Sequence, residues 1–153
     1  MTNFEIDTRA PMIVSVPGMK SKGKVTRKLV EFVDIYPTLC ELAGLPVPTG
    51  LAGRSTVPLL NNPEAPWKTA AYSQYLREGG WRGPDGKTYM GYTVRTNEFR
   101  YVEWFNQETH ELAARELYDH RRDHEENRNI AGDPAFSDKL NELASQLRTG
   151  FKL

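Results

Sequence analysis

TYMGYTVRTNEFRYVEWF, Thr88 to Phe105, reads as two strands joined by a tight turn. Met90, Tyr92 and Val94 alternate with Gly91, Thr93 and Arg95. Past the polar Thr96-Asn97-Glu98, Phe99 and Tyr101 alternate with Arg100 and Val102. Period-two alternation of β-branched and aromatic residues around a polar cluster is the pattern of a hairpin. Two registers compete. A turn at Asn97-Glu98 sets Arg95 opposite Arg100, and like charges directly opposed are unfavourable. A turn at Thr96-Asn97 sets Arg95 opposite Glu98, Val94 opposite Phe99 and Tyr92 opposite Tyr101; this is the register expected. A lone hairpin is marginal in water, so further strands and a helix should cover its apolar face.

The flanking sequence offers both. Upstream, Ala70–Tyr75 (AAYSQY) reads as a short strand, and downstream Arg115–Tyr118 (RELY) as another, with Asn106–Ala114 a loop or short helix between. Asp133 followed by Pro134 opens a last helix as N-cap and first helical residue. Phe136, Leu140, Leu143 and Leu147 fall on one face of that helix and suit the apolar side of the sheet. Residues 63–153 are therefore expected to form an α+β layer pair, an antiparallel sheet of about four strands with a C-terminal helix packed on it.

Residues 1–62 read differently. Pro11–Val16 (PMIVSV) suits a strand buried on both faces of a parallel sheet, yet no segment supplies its parallel neighbours. Met19–Lys28 is basic and polar, a solvated loop or a phosphate or sulfate site. Leu29, Phe32, Val33, Tyr36, Leu39, Cys40 and Ala43 follow helical spacing. Pro37 is tolerated only in a first turn, which starts the helix at Asp34 as N-cap, and Gly44 ends it, giving a helix over 34–44. Residues 45–69 hold five prolines and two glycines and read as a connection, with a boundary near Asn62–Trp67 and one short helical turn at 56–60.

The 153 residues suffice for one domain with a core, or for a small domain plus a piece of another. The 20 basic and 20 acidic residues cancel, which leaves no global field to draw nucleic acid or an anionic membrane. No apolar run reaches membrane-spanning length. The first residues, MTNFEIDTRAPM, lack the basic-then-apolar pattern of a signal peptide. The single cysteine, Cys40, makes no internal disulfide; it falls on the apolar helix face with no flanking base to activate it.

Few residues suggest chemistry. His120 and His124 are four apart beside Asp119, Asp123 and Glu125, a weak metal-ligand spacing in a segment that reads as solvated charge. The serines lack the context of a triad, and no phosphate loop is present. Leu76–Lys87 has four glycines in twelve residues and one tryptophan, Trp81. It is either a binding loop or an ordinary surface loop with Trp81 tucked on the sheet.

Several segments resemble the C-terminal part of type I sulfatases, the formylglycine-dependent enzymes of the alkaline-phosphatase-like superfamily. Asn3-Phe4-Glu5 with Thr8–Val14 resembles the "NFE…TRVPLIV" strand of that family. Val33–Leu39 and Leu42–Leu45 resemble "VDLYPTLLDLAGL". Glu116–Asp119 with Asp123, Glu126, Asn129, Ile130 and Ala131 resemble "ELYDL…DPxExxNLA", with His124 where that pattern has proline. Ala71–Tyr75 and Met90–Thr96 look most like the iduronate 2-sulfatase branch.

The resemblance implies that residues 1–62 end the catalytic α/β domain, 11–16 being a strand of its central sheet, and that 63–153 form the C-terminal subdomain. It implies hydrolysis of a sulfate ester on a carbohydrate by the complete enzyme, with one calcium ion and a formylglycine made from C-x-P-S-R. That motif is absent: Cys40 stands in Leu39-Cys40-Glu41-Leu42. The calcium ligands have no counterpart here, and a catalytic lysine would fall just upstream of Met1. No catalytic or metal residue is therefore assigned, and 1–153 alone is expected to be inactive. Family members are often periplasmic, secreted or lysosomal. In the glycine-rich loop, Arg77 and Arg82 are candidates to pair with a sugar carboxylate or sulfate, and Trp81 to stack on a sugar ring. A stand-alone module binding sulfated glycan and a non-functional gene fragment are the alternatives.

Overall fold

The computed structural model describes residues 2–78 and 83–152. Four strands, β1 (Ala70–Arg77), β2 (Tyr89–Thr96), β3 (Phe99–Asn106) and β4 (Leu112–Asp119), form one antiparallel sheet in sequence order. A single turn, α1 (Glu5–Thr8), precedes it; α2 (Ile35–Leu42) and α3 (Val57–Asn61) lie between, and α4 (Ser137–Phe151) closes the chain. By contacts the chain divides into a sheet unit, Met1–Ala10 with Tyr72–Leu153, and a second unit, Pro11–Ala71. The first ten residues thus group with the sheet, not with the segment that follows them.

The hairpin is present, but its register is the one that charge alone argues against. Arg95 lies opposite Arg100, Val94 opposite Tyr101 and Tyr92 opposite Glu103, so the turn is at Asn97-Glu98. The physical reason is outside the hairpin: the carboxylate of Glu5 bridges both guanidiniums, as described below. Thr96 finishes the turn by accepting from the Phe99 N–H through Oγ1 at 3.0 Å. β4 is longer than the expected Arg115–Tyr118 and carries a bulge where Trp104 and Phe105 pair with Ala114 and Leu112.

The two faces of this sheet differ. Val94, Phe99, Tyr101 and Leu117 share one, and all four are buried. α4 supplies the cover with Leu140, Leu143 and Leu147 of the expected stripe and with Ala144. Phe136 meets Phe99 edge-on at 6.4 Å and Phe151 meets Tyr92 at 4.9 Å. Asp133 caps as expected, its Oδ1 accepting from Ala135 N at 3.0 Å, though the first turn, Pro134–Phe136, is a 3-10 turn.

In the Pro11–Ala71 unit, residues 11–16 form no strand, and Ile13 is 93% exposed. A strand needs a neighbour to satisfy its backbone, and the described sheet contains only β1 to β4. α2 begins after a 3-10 turn at Phe32–Asp34. Pro37 sits in its first turn as expected. Asp34 occupies the N-cap position, but its side chain turns away: Oδ2 accepts from Glu31 N and Oδ1 from Arg54 N, each at 2.8 Å. Lys68 donates to the same Oδ2 at 2.6 Å. α2 ends in a Schellman motif, with Leu45 N donating to Cys40 O at 2.9 Å and Gly44 N to Glu41 O at 3.1 Å around a left-handed Gly44. Gly53 packs so tightly on the 3-10 turn that a Cβ there would lie 1.9 Å from Val33 O. Cys40 is buried. No described helix is long and apolar enough to cross a membrane.

Candidate functional site

The second face of the sheet is built from Gly91, Thr93 and Arg95 of β2, Arg100, Val102 and Trp104 of β3, and Ala114, Glu116 and Tyr118 of β4, paired across the strands. Strand parity forces this grouping. It puts two arginines and a glutamate where a core would ordinarily be apolar. Arg100 is buried, with only 2% of its side chain exposed, so its charge must be met locally.

Residues 3–8 and the turn after β4 meet it. Arg100 Nη1 donates to Asn3 O at 2.8 Å, and Nη2 to Glu5 Oε2 at 2.6 Å and Thr8 Oγ1 at 3.0 Å. Arg100 Nε donates to Glu126 Oε1 at 2.5 Å. Arg95 Nε reaches the same Glu5 oxygen at 3.1 Å, and its Nη2 donates to His120 Nδ1 at 2.8 Å. An arginine can only donate, so Nδ1 accepts and His120 carries its proton on Nε2, which donates to Glu126 Oε1 at 2.7 Å. Glu126 Oε2 accepts from Glu5 N at 2.7 Å. Glu126 holds this position with a left-handed backbone, φ 59°, a conformation that costs energy in a non-glycine residue. Phe4 meets Tyr118 edge-on at 5.7 Å.

The carboxylates respond to these partners. Burial pushes Glu5 and Glu126 up, but Arg95 and Arg100 around the first, and His120 and Arg100 around the second, hold both below the ordinary value. Two carboxylates and two guanidiniums with a neutral imidazole sum to zero. This network clamps the N-terminal segment to the sheet.

Beside it lies a second cluster. Arg77, at the end of β1, stacks its guanidinium on the Trp104 ring at 4.4 Å. Trp104 Nε1 donates to Glu116 Oε1 at 3.0 Å. Burial raises the Glu116 carboxyl against that bond and the pull of Arg77. Gly91 makes room for the Trp104 ring, since a Cβ there would lie 2.6 Å from it. Arg77 is half-buried, with one face of its guanidinium on the ring.

Of the three residues expected in a binding loop, the structure places Arg77 in this cluster. Trp81 and Arg82 lie outside the described residues. The described part of that loop is a tight turn: Asp85 Oδ1 accepts from Lys87 N, and Tyr89 donates from its hydroxyl to Asp85 Oδ2 at 2.7 Å. His120 and His124 do not converge as ligands. Their rings stand 6.2 Å apart, and both His120 nitrogens are engaged.

Among the described residues, Glu5, His120 and Glu126 come close enough to share a metal ion. They do not fit calcium, which takes six to eight oxygen ligands. The set offers few oxygens, and those already face Arg95 and Arg100, whose charges would repel the ion. Sequence reading missed Glu5, Arg95, Arg100 and Glu126 as a group. The available signal was two arginines at facing positions of a hairpin, which demands acidic partners from elsewhere.

The chain matches the family described as N-sulphoglucosamine sulphohydrolase, C-terminal, over residues 2–152. It is 31% identical over 97% of its length to arylsulfatase K of Rattus norvegicus and 34% identical over 88% to a Delta 4,5-hexuronate-2-O-sulfatase of Bacteroides thetaiotaomicron. It spans about a quarter of each, 25% and 27%. A protein solved in complex with its substrate D-glucosamine-2-N,6-O-disulfate superposes with a TM-score of 0.62 and 30% identity, over 78% of this chain and 24% of that one.

Proposed function

The chain belongs to the N-sulphoglucosamine sulphohydrolase C-terminal family, and from this we propose that it is the C-terminal portion of a sulfuric ester hydrolase acting on sulfated carbohydrate. The single observation that carries this reading is the match over residues 2–152. Within the family we assign it to the iduronate 2-sulfatase-like branch, acting on a 2-O-sulfated hexuronate; the 34% identity to a hexuronate 2-O-sulfatase supports that choice.

In this reading residues 1–62 complete the catalytic α/β domain and 63–153 form the subdomain beside its active site. Phe32, Val33, Tyr36, Leu39 and Leu45 are each at least half exposed, which is the face that the remainder of that domain would cover. The partner is thus the N-terminal catalytic part of the same enzyme, which supplies the nucleophile and calcium ligands. The clamp on Asn3 and Glu5 fixes the chain immediately after the position where the family resemblance puts a catalytic lysine. Arg77, stacked on Trp104, offers its donors to a carboxylate or sulfate of the sugar; Trp81 and Arg82, outside the described residues, are the further candidates for sugar binding.

The test is sulfate release. The purified 153-residue chain and the product of the full reading frame that contains it are each incubated with a 2-O-sulfated unsaturated hexuronate disaccharide and a 6-O-sulfated glucosamine, and sulfate is quantified. The expected result is release from the 2-O-sulfated sugar by the full product and none by the chain alone. Release by the chain after repeated purification would overturn the division of labour. Preference for the 6-O-sulfated sugar would overturn the branch, and failure on every sulfated sugar the sulfatase reading.

A further inference from the structure

α4 carries a second, unrelated set of residues on the edge away from its leucines. Asn141, Ser145 and Arg148 recur at helical spacing and, with Thr149, with Lys152 just past the helix end and with Arg115 from β4, line a groove of about 560 Å³. Two features separate this groove from an ordinary solvated helix face. First, its cations come from two elements. A helix alone places basic residues near its C-terminus to suit its dipole, and that accounts for Arg148 and Lys152 but not for Arg115. Second, both guanidiniums sit over a buried carboxylate, which holds one of them by a hydrogen bond. Glu103 is fully buried under the groove; its Oε1 accepts from Arg148 Nη2 at 2.9 Å and from the Tyr101 hydroxyl at 2.7 Å, and lies 3.8 Å from Arg115 Nε. One carboxylate thus holds Arg148 by a hydrogen bond and attracts Arg115, and the two side chains stay 46% and 40% exposed. Three cations over one buried anion leave an excess of two positive charges, reduced by the partial negative charge of the helix end.

We infer that this groove binds the sulfate groups of an acidic glycan chain. The geometry calls for an oxyanion, because guanidinium donors held in place pair with two oxygens at once. The choice of sulfated glycan over another oxyanion rests on the family reading above. The site is built from Arg115, Arg148 and Lys152, and shares no residue with the Arg77 cluster. It would hold a long substrate by a second point, raising its effective concentration at the enzyme.

The experiment is calorimetric titration of the 153-residue chain with a heparin-derived tetrasaccharide, the same sugar desulfated, and sodium sulfate. Arg148 is left in place, because removing it strips a hydrogen bond from buried Glu103. Arg115→Gln and Lys152→Asn are used instead; Asn tolerates the left-handed backbone of residue 152, φ 58°. Urea midpoints equal to wild type show that the variants are folded. The expected result is binding of the sulfated tetrasaccharide that weakens with added salt and falls about tenfold in the double variant, the weight of a charge-assisted hydrogen bond. No heat with the folded wild-type chain, or an unchanged affinity in the double variant, overturns the inference. So does equal binding of the desulfated sugar or of sulfate alone. Loss of binding in Arg77→Gln but not in the double variant overturns it and leaves the substrate role of Arg77 standing. Retained groove binding by the chain, with no sulfate released from any sulfated sugar by the product of the full reading frame, sinks the sulfatase reading instead.

Discussion

The sheet unit and the Pro11–Ala71 unit place their apolar side chains oppositely. In the first, Val94, Tyr101, Leu117, Leu143 and Leu147 are buried to 1% exposure or less. In the second, Phe32 is 75% and Leu39 58% exposed, although α2 carries as clear an apolar stripe as α4. What orders the second unit is polar: Asp34 draws together Glu31, Arg54 and Lys68, while the Thr38 hydroxyl accepts from Thr56 N at 2.8 Å. The sheet unit also has a polar hub, at Arg100, but on the face opposite its apolar core. An apolar stripe therefore reports a need for cover, and a unit can be held locally by hydrogen bonds while that need stays open.

Breaking each hub and each stripe separates these effects. The largest effect is expected for Arg100→Ala, which leaves buried Glu126 without a guanidinium and half-buried Glu5 with Arg95 alone, and should cost about 3–5 kcal/mol. A urea unfolding midpoint close to wild type would show that the network is not needed to hold the N-terminal segment. Next, Leu147→Ala opens a cavity under α4 and should cost about 2–5 kcal/mol, whereas Leu39→Ala on α2 should stay within about 0.5 kcal/mol. Equal losses for these two leucines would erase the contrast between the units.

Below the effect of Leu147→Ala comes Gly53→Ala, where the new methyl meets the Val33 carbonyl and the chain must shift, at about 1–3 kcal/mol. Its amide chemical-shift changes should stay around Asp34 and Arg54; changes centred on β3 would contradict the local nature of that hub. The gentlest probe is pH. Glu5 and Glu126 titrate below their ordinary 4.5. Their stabilisation is therefore present above that value and lost as pH falls through the lowered values. Glu116 is raised, so the cost of its buried charge is relieved over acidic pH and opposes the trend. The urea midpoint should fall on acidification from pH 5 in wild type and less steeply in Glu126→Gln. Parallel curves would remove Glu126 from the account.

Much of the site was not legible in advance. Arg95 and Arg100 are visible as charged strand residues, and like-charge repulsion by itself favours the register in which they do not meet. Glu5 and Glu126 are 121 positions apart, and nothing in either neighbourhood announces that they bracket the same guanidinium. His120 forms a spaced pair with His124 in the sequence, but its partners in the structure are Arg95 and Glu126. Arg77 is a candidate in the sequence through its glycine-rich loop, whereas its stacking on Trp104 depends on the β1–β2–β3 order.

The sequence by itself determined the elements: the hairpin, the α4 stripe with its Asp133 cap, and the end of α2 at Gly44. Each follows from the conformational preferences and periodicity of residues within a few positions of one another. The tertiary structure alone decided the hairpin register, the charge network, and which apolar stripe is covered. Those outcomes depend on electrostatic and packing partners brought from distant parts of the chain, and a charge or an apolar face in a sequence states what it requires without stating what will meet it.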